Sequence, residues 1–218
     1  MDKTILPGGG RSRGDASATD RCLEGVMGAV AALGRGVETI AYTFEPQTKA
    51  DTYKALQRIV SGAAEMHEIL NPGSKTAGYL LVADMGPRLE RALTAQYQNG
   101  TPCGKGAPRL AVARLVPALA GVAAASHEFF TQMHLEISES ALSGGLSAER
   151  GKRLAAAGFA SERVAEGLLL FSSSLGIVDD ERAAEQGMML SENHRGLKEI
   201  YEGLIRNARN SGHEKEGQ

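Results

Sequence analysis

The chain has 218 residues, enough for one domain to bury a core without disulfides or a structural metal. Its 24 basic and 26 acidic residues nearly cancel, which removes the global positive charge that a nucleic-acid or anionic-membrane partner would favour. Aromatic residues are scarce and Trp is absent, so the core has to be assembled from Leu, Val, Ile, Met and Ala.

Residues 1–17 are rich in Gly, Ser and Arg and hold few apolar side chains, the composition of a disordered tail. Pro7 and the glycines after it stand where a signal peptide would need an apolar run, so export by that route is not expected, although secretion by a signal-independent apparatus stays open. From Val26 the apolar residues step by alternate threes and fours, through Val30, Leu33, Val37, Ile40 and Phe44, the spacing of one helical stripe. Residues 37–44 are also β-branched and nearly alternating, which would suit a strand, but no partner strand is in sight and helix is the expectation. Glu45-Pro46-Gln47 ends this helix, and Thr48 with Asp51 makes a capping-box-like start for the next. Tyr53, Leu56, Val60, Ala63, His67 and Leu70 form its stripe.

Asn71-Pro72-Gly73-Ser74 separates the second helix from a third, in which Gly86-Pro87 predicts a kink or a restart. Residues 99–108, with three Gly and two Pro, form the longest break and a candidate seam between halves. The fourth helix carries Val112, Val116, Leu119, Ala123, Ser126, Phe130, Met133 and Ile137; the fifth carries Leu154, Ala157, Ser161, Val164, Leu168, Phe171 and Leu175. Ser143-Gly144-Gly145 and Gly176 close them, and Asp179 or Asp180 can cap a sixth with Ala183, Gly187, Leu190, His194, Leu197, Tyr201 and Leu204 on its stripe. Residues 211–218 are a second polar tail. The fold expected is therefore all-α: an elongated antiparallel bundle of about six long helices spanning 18–210, with seams close to the two-in-seven pattern of coiled coils. The apolar run 110–125 is too short to span a bilayer and contains Arg114 and Pro117, so no stable membrane span is expected.

Chemistry is harder to find. His127 and His134 stand seven residues apart, about 10.5 Å along a helix, too far to share one metal, and are expected to be exposed. No Glu-x-x-His pair marks a di-iron bundle. His67 and His194 differ, because each falls on an apolar stripe where a buried imidazole needs a partner. They are the candidate cofactor-binding residues, as axial ligands to haem or part of a transition-metal site, against the plainer reading of core histidines hydrogen-bonded inside the bundle. Gly73-Ser74-Lys75-Thr76 lacks the order of a phosphate-binding loop, and Lys105 fares no better. His194-Arg195-Gly196-Leu197-Lys198 departs from a phosphoacceptor pattern, and the Arg206 to His213 spacing ends in the tail. Arg88 with Glu90 and Arg91, and Arg150 with Lys152 and Arg153, read as solvated charge. Cys22 and Cys103 have no metal or redox spacing and read as free thiols of a reducing compartment.

No nucleophile, base and orienter assemble from spacing, and no catalytic residue is named. The sequence points to a non-enzymatic helical interaction, scaffold or accessory protein, cytoplasmic, acting through a helix face or groove on a protein partner or another copy of itself. No cofactor is expected on that reading. The alternative is a cofactor-binding bundle, a sensor or regulator with an interhelical pocket near His67 and His194.

Overall fold

Ser17 begins the first helix rather than ending a tail. Its hydroxyl accepts the Asp20 N–H at 3.1 Å while the Asp20 carboxylate accepts the Ser17 N–H at 3.4 Å, a reciprocal capping box that satisfies two donors the helix itself cannot. In the computed structural model of the chain the described residues are 17–44, 46–94, 107–143, 145 and 147–174. They form α1 (Ala18–Ile40), α2 (Pro46–Leu70), α3 (Ala77–Thr94), α4 (Ala107–Ser143) and α5 (Ala148–Ser174), with no strand among the described residues. The expected sixth helix, the 99–106 break and the C-terminal tail lie outside them.

The strand-like run is helical from Val37 to Thr43, and only Phe44 is extended. α1 continues to Ile40 and tightens into a 3₁₀ turn over Ala41–Thr43, with Val37, Ile40, Ala41 and Phe44 buried and Thr39 exposed. That burial follows the helical step and not alternation, so packing overrides the β-branched preference. α2 starts at Pro46, two residues before the expected Thr48 cap, because a proline suits the first helical position, where its missing N–H costs nothing. α3 passes through Pro87 without the expected restart. Pro87 and Ala83 are both exposed, so the Ala83 carbonyl that loses a helical donor is open to water.

Contacts along the helices fix their directions. Gly36 near the end of α1 faces Leu115 near the start of α4, whereas Arg150 of α5 bridges Asp20 at the start of α1 to Glu136 toward the far end of α4, so α1 and α4 are antiparallel. Thr52 meets Ser174 and Glu65 pairs with Arg163, so α2 and α5 are antiparallel too. α3 runs parallel to α1: Gly78 lies against Glu24, Met85 fills the space beside Gly34, and Arg88 binds Glu38 through two bonds of 3.0 Å. α4 packs along α1, α5 along α2, and α3 against both α1 and α2, with α4 and α5 in contact with each other. The result is layered as one, two and two helices: α3, then α1 with α2, then α4 with α5.

The α2–α5 seam is the tightest. A Cβ on Gly167 would stand 2.9 Å from the Ala55 carbonyl oxygen, and one on Gly62 2.9 Å from that of Ala160. Bare backbone at both positions brings the axes together and packs Ile59 against Gly167 and Val164 against Gly62. The expected α5 stripe is buried from Leu154 to Phe171, but Ala160 and Gly167 are buried beside it, and α4 adds Leu115, Val122 and Phe129. These faces are wider than a two-in-seven seam, because α1, α2 and α5 each meet more than one neighbour.

Candidate functional site

The antiparallel order gathers the N-termini of α1, α3 and α5 with the C-termini of α2 and α4 at one pole, and each helix places a polar side chain there. His67, on the last turn of α2, is fully buried. Its ring stacks on Tyr79 of α3 with centroids 4.8 Å apart, and its Nε2 lies 3.0 Å from Thr76 Oγ1. Thr76 caps α3 by accepting the Tyr79 N–H at 3.2 Å and donates its hydroxyl proton to Glu24 Oε1 at 2.7 Å. With that proton committed, Nε2 must be the nitrogen that carries hydrogen and donates to Thr76. Nδ1 then holds a lone pair with no hydrogen-bond partner among the described residues. Burial pushes the His67 pKa below the ordinary imidazole value, and the negative charges of Glu24, Glu68 and Asp20 only partly oppose it. The imidazole is neutral at pH 7.

Beside it, Arg150 of α5 reaches Glu136 of α4 at 2.8 Å and Asp20 and Ser17 at 3.0 and 2.9 Å. Burial raises the Glu136 carboxyl, but hydrogen bonds, chiefly from Arg150, outweigh it and hold the pKa below the carboxylate norm. The same exchange runs in reverse at Arg150: burial lowers it, and the bonds to Glu136 and Asp20 raise it further. The solvated charge expected at Arg150 is in fact a three-helix clamp. Arg153 does behave as surface charge, pairing with Glu149 one turn away.

Thr76, His67 and Glu24 superficially suggest a hydroxyl, base and acid, but the order is wrong for nucleophilic catalysis. A triad places the acid on the imidazole nitrogen remote from the hydroxyl, whereas Glu24 binds the hydroxyl itself and leaves Nδ1 unpartnered. The hydroxyl is also engaged in capping α3. The group acts as a latch that fixes the start of α3 to α1 and α2.

His194 lies outside the described residues, as do Cys103, Lys105, Arg206 and His213, so nothing places His194 beside His67. Ligation through His67 Nε2 would have to break its bond to Thr76. His127 and His134 are exposed, as expected. Among the described residues no group of three His, Cys, Asp or Glu side chains is placed to hold a metal, and no helix is long and apolar enough to cross a membrane. Cys22 is free, and burial with the nearby Glu128 carboxylate pushes its thiol pKa up, away from reactivity.

A second feature lies on the opposite side of the core from α3. On α5 Phe159 is 50% and Leu170 44% exposed, and on α4 Leu135 is 41% exposed. Phe159 and Leu170 are eleven residues apart, about three turns, and so share one stripe on the outer side of α5. Leu135 and Phe159 stand about 12 and 17 Å from the α4–α5 connection, at nearly one height on neighbouring helices. The helical stripes do not reveal this face, because its residues lie off their register. Its signal was there: Phe159 stands between Ala157 and Ser161, off the register of both. No family model matches the chain, and neither does any curated protein or solved structure.

Proposed function

We propose that this chain is a helical interaction protein whose working surface is the outer face of α4 and α5, and that its partner presents an apolar helix face. The observation that carries this reading is the exposure of Leu135, Phe159 and Leu170, 41%, 50% and 44%, large apolar side chains on two adjacent helices. Single exposed apolar residues are ordinary, and Leu80 with Leu81 on α3 make only a small isolated pair. Two parallel ridges about one helix diameter apart differ in kind, because a third helix can seat between them with anchors at three- and four-residue spacing.

A photo-crosslinking residue at position 159 or 135, introduced in the producing cell, should give one discrete intermolecular adduct, identified by mass as a partner or a second copy. The same probe at the exposed Leu81 should give none. Equal yields from positions 159, 135 and 81, or no intermolecular adduct at all, would defeat the reading. The cofactor alternative with His67 and His194 predicts a Soret band when haem is added and its loss in His67→Ala.

A further inference from the structure

The exposed side of α5 is complementary to its own reverse. Phe159, Arg163, Glu166 and Leu170 fall within about 60° of one another around the helix and form one exposed line along it. Arg163 stands four residues after Phe159 and Glu166 four residues before Leu170, so the order is apolar, basic, acidic, apolar about a centre between Val164 and Ala165. The two apolar ends lie about 16 Å apart, three turns of helix.

α2 carries the same symmetry. Its Arg58 pairs with Glu166 and its Glu65 with Arg163, so the midpoint of Arg58 and Glu65 lies level with the midpoint of the α5 line. The four charges form a checkerboard in which each neighbour, along a helix or across the two, has the opposite sign. Each of the four side chains keeps between 40% and 56% of its surface exposed, so the pairing within the chain leaves it open to a further charge.

A second copy of the chain, turned by half a revolution about an axis that crosses both helices at this centre, lays its α5 antiparallel on the first. Phe159 then meets Leu170 of the second copy and Arg163 meets Glu166 of the second copy, each contact occurring twice, as two-fold symmetry requires. On the flank Arg58 meets Glu65 of the second copy. A parallel pairing of the two α5 helices would instead set Arg163 on Arg163 and Glu166 on Glu166, which like-charge repulsion disfavours. A different partner would need to match this order only once, from one end; a match from both ends is what a second copy requires.

We infer that the partner at this face is a second copy of the chain, docked by an antiparallel, two-fold pairing of α5 with α5. This rests on the outer face of α4 and α5 being the working surface, and it names the occupant. Burial of the apolar pairs supplies the attraction, with Leu135 of α4 bordering them. The charges fix direction and register, because exposed ion pairs add little affinity while like charges set opposite one another exclude the wrong alignment.

Charge reversal tests a property that this pairing alone confers. The full chain should sediment with twice its monomer mass at micromolar concentration. Arg163→Glu sets acidic groups opposite each other across the axis and Glu166→Arg sets basic ones, so each variant alone should dimerise at least about tenfold more weakly. Mixed in equal amounts, the two variants restore both opposite-sign contacts, and the dimer should return as a heterodimer with one chain of each. Each substitution removes one exposed ion pair with α2, and circular dichroism checks that both variants keep the parental helix content. Should either fail to fold, Phe159→Asp in the otherwise unaltered chain decides in its place: loss of the dimer supports the pairing and its persistence overturns it. A monomeric parent overturns the inference, as does a dimer that both reversals leave intact, or two weakened variants that do not recover on mixing. The crosslinking probe at position 159 separates this failure from failure of the working surface itself. An adduct with a different protein keeps the surface and discards the second copy, whereas no adduct discards both.

Discussion

Two phenylalanines on α5 stand about 120° apart around the same helix and have different surroundings. Phe171 faces inward and is fully buried with Val164 and Leu168, on the side that α2 covers; Phe159 faces outward and is half exposed. Helical propensity cannot distinguish them, since both are the same residue in the same element. The difference is made by what covers each side, and it separates the part of the molecule that holds the fold from the part available to do something else. A sequence spends an apolar side chain on a core because burial stabilises by about 1.5–3 kcal/mol.

The comparison can be broken most forcefully at Phe171. Phe171→Ala should cost about 3–5 kcal/mol by leaving a cavity in a core too tight to collapse, read as a shift of the urea midpoint with unchanged slope. A cost near zero would mean that the inner side of α5 is not packed as described. Next comes the bare-backbone contact on the same side. Gly167→Val should lose about 1–3 kcal/mol, because the atoms its Cβ would meet include the Ala55 carbonyl and the Ile59 amide, which cannot rotate away as a side chain could. Val at the open position Gly28, which no neighbouring atom approaches, serves as the control and should cost far less.

The latch at the pole gives an effect of middle size with a pH signature. Burial disfavours the charged imidazole of His67, and protonation would place a second N–H on Nδ1, which has no acceptor among the described residues, so its folded pKa lies below the ordinary value. The unfolded chain then binds more protons than the native one, and stability present above about pH 6.5 declines as pH falls. His67→Gln should lower stability at pH 7.5 by about 1–3 kcal/mol and flatten the decline between pH 7 and 5. Glu136 also has a depressed folded pKa, so its contribution persists through this window and is lost only at more acid pH. A slope unchanged in His67→Gln would assign the pH dependence elsewhere. The smallest effect belongs to the outer side, where Phe159→Ser should change the global unfolding free energy by less than about 1 kcal/mol.

The contrast also shows what a single sequence makes legible. Helices, their order and most inward residues follow from the three-four step, because that step is set by helix geometry alone; Leu154 through Phe171 were all placed correctly by it. Even the strand-like run to Phe44 obeyed it. What the step cannot convey is which helices are neighbours. Arg150 looked like one charge in a solvated cluster because its partners Asp20 and Glu136 are remote in the chain. His67 was legible as a buried imidazole in need of a partner, but Thr76 as that partner was not, since the bond forms only when α3 folds back across α2. The starts of α2 and α3 depended on caps and a proline whose competition is local and finely balanced. The outer face escaped because residues off a stripe carry no period of their own.

The account depends most on the claim that the two sides of α5 do separate work, and one substitution tests it. With the crosslinking probe at position 135, Phe159→Asp should leave the urea midpoint within experimental error of the parent and remove the intermolecular adduct. A variant that keeps the adduct at full yield, or that loses it together with several kcal/mol of stability, would contradict the separation of fold from function across this helix.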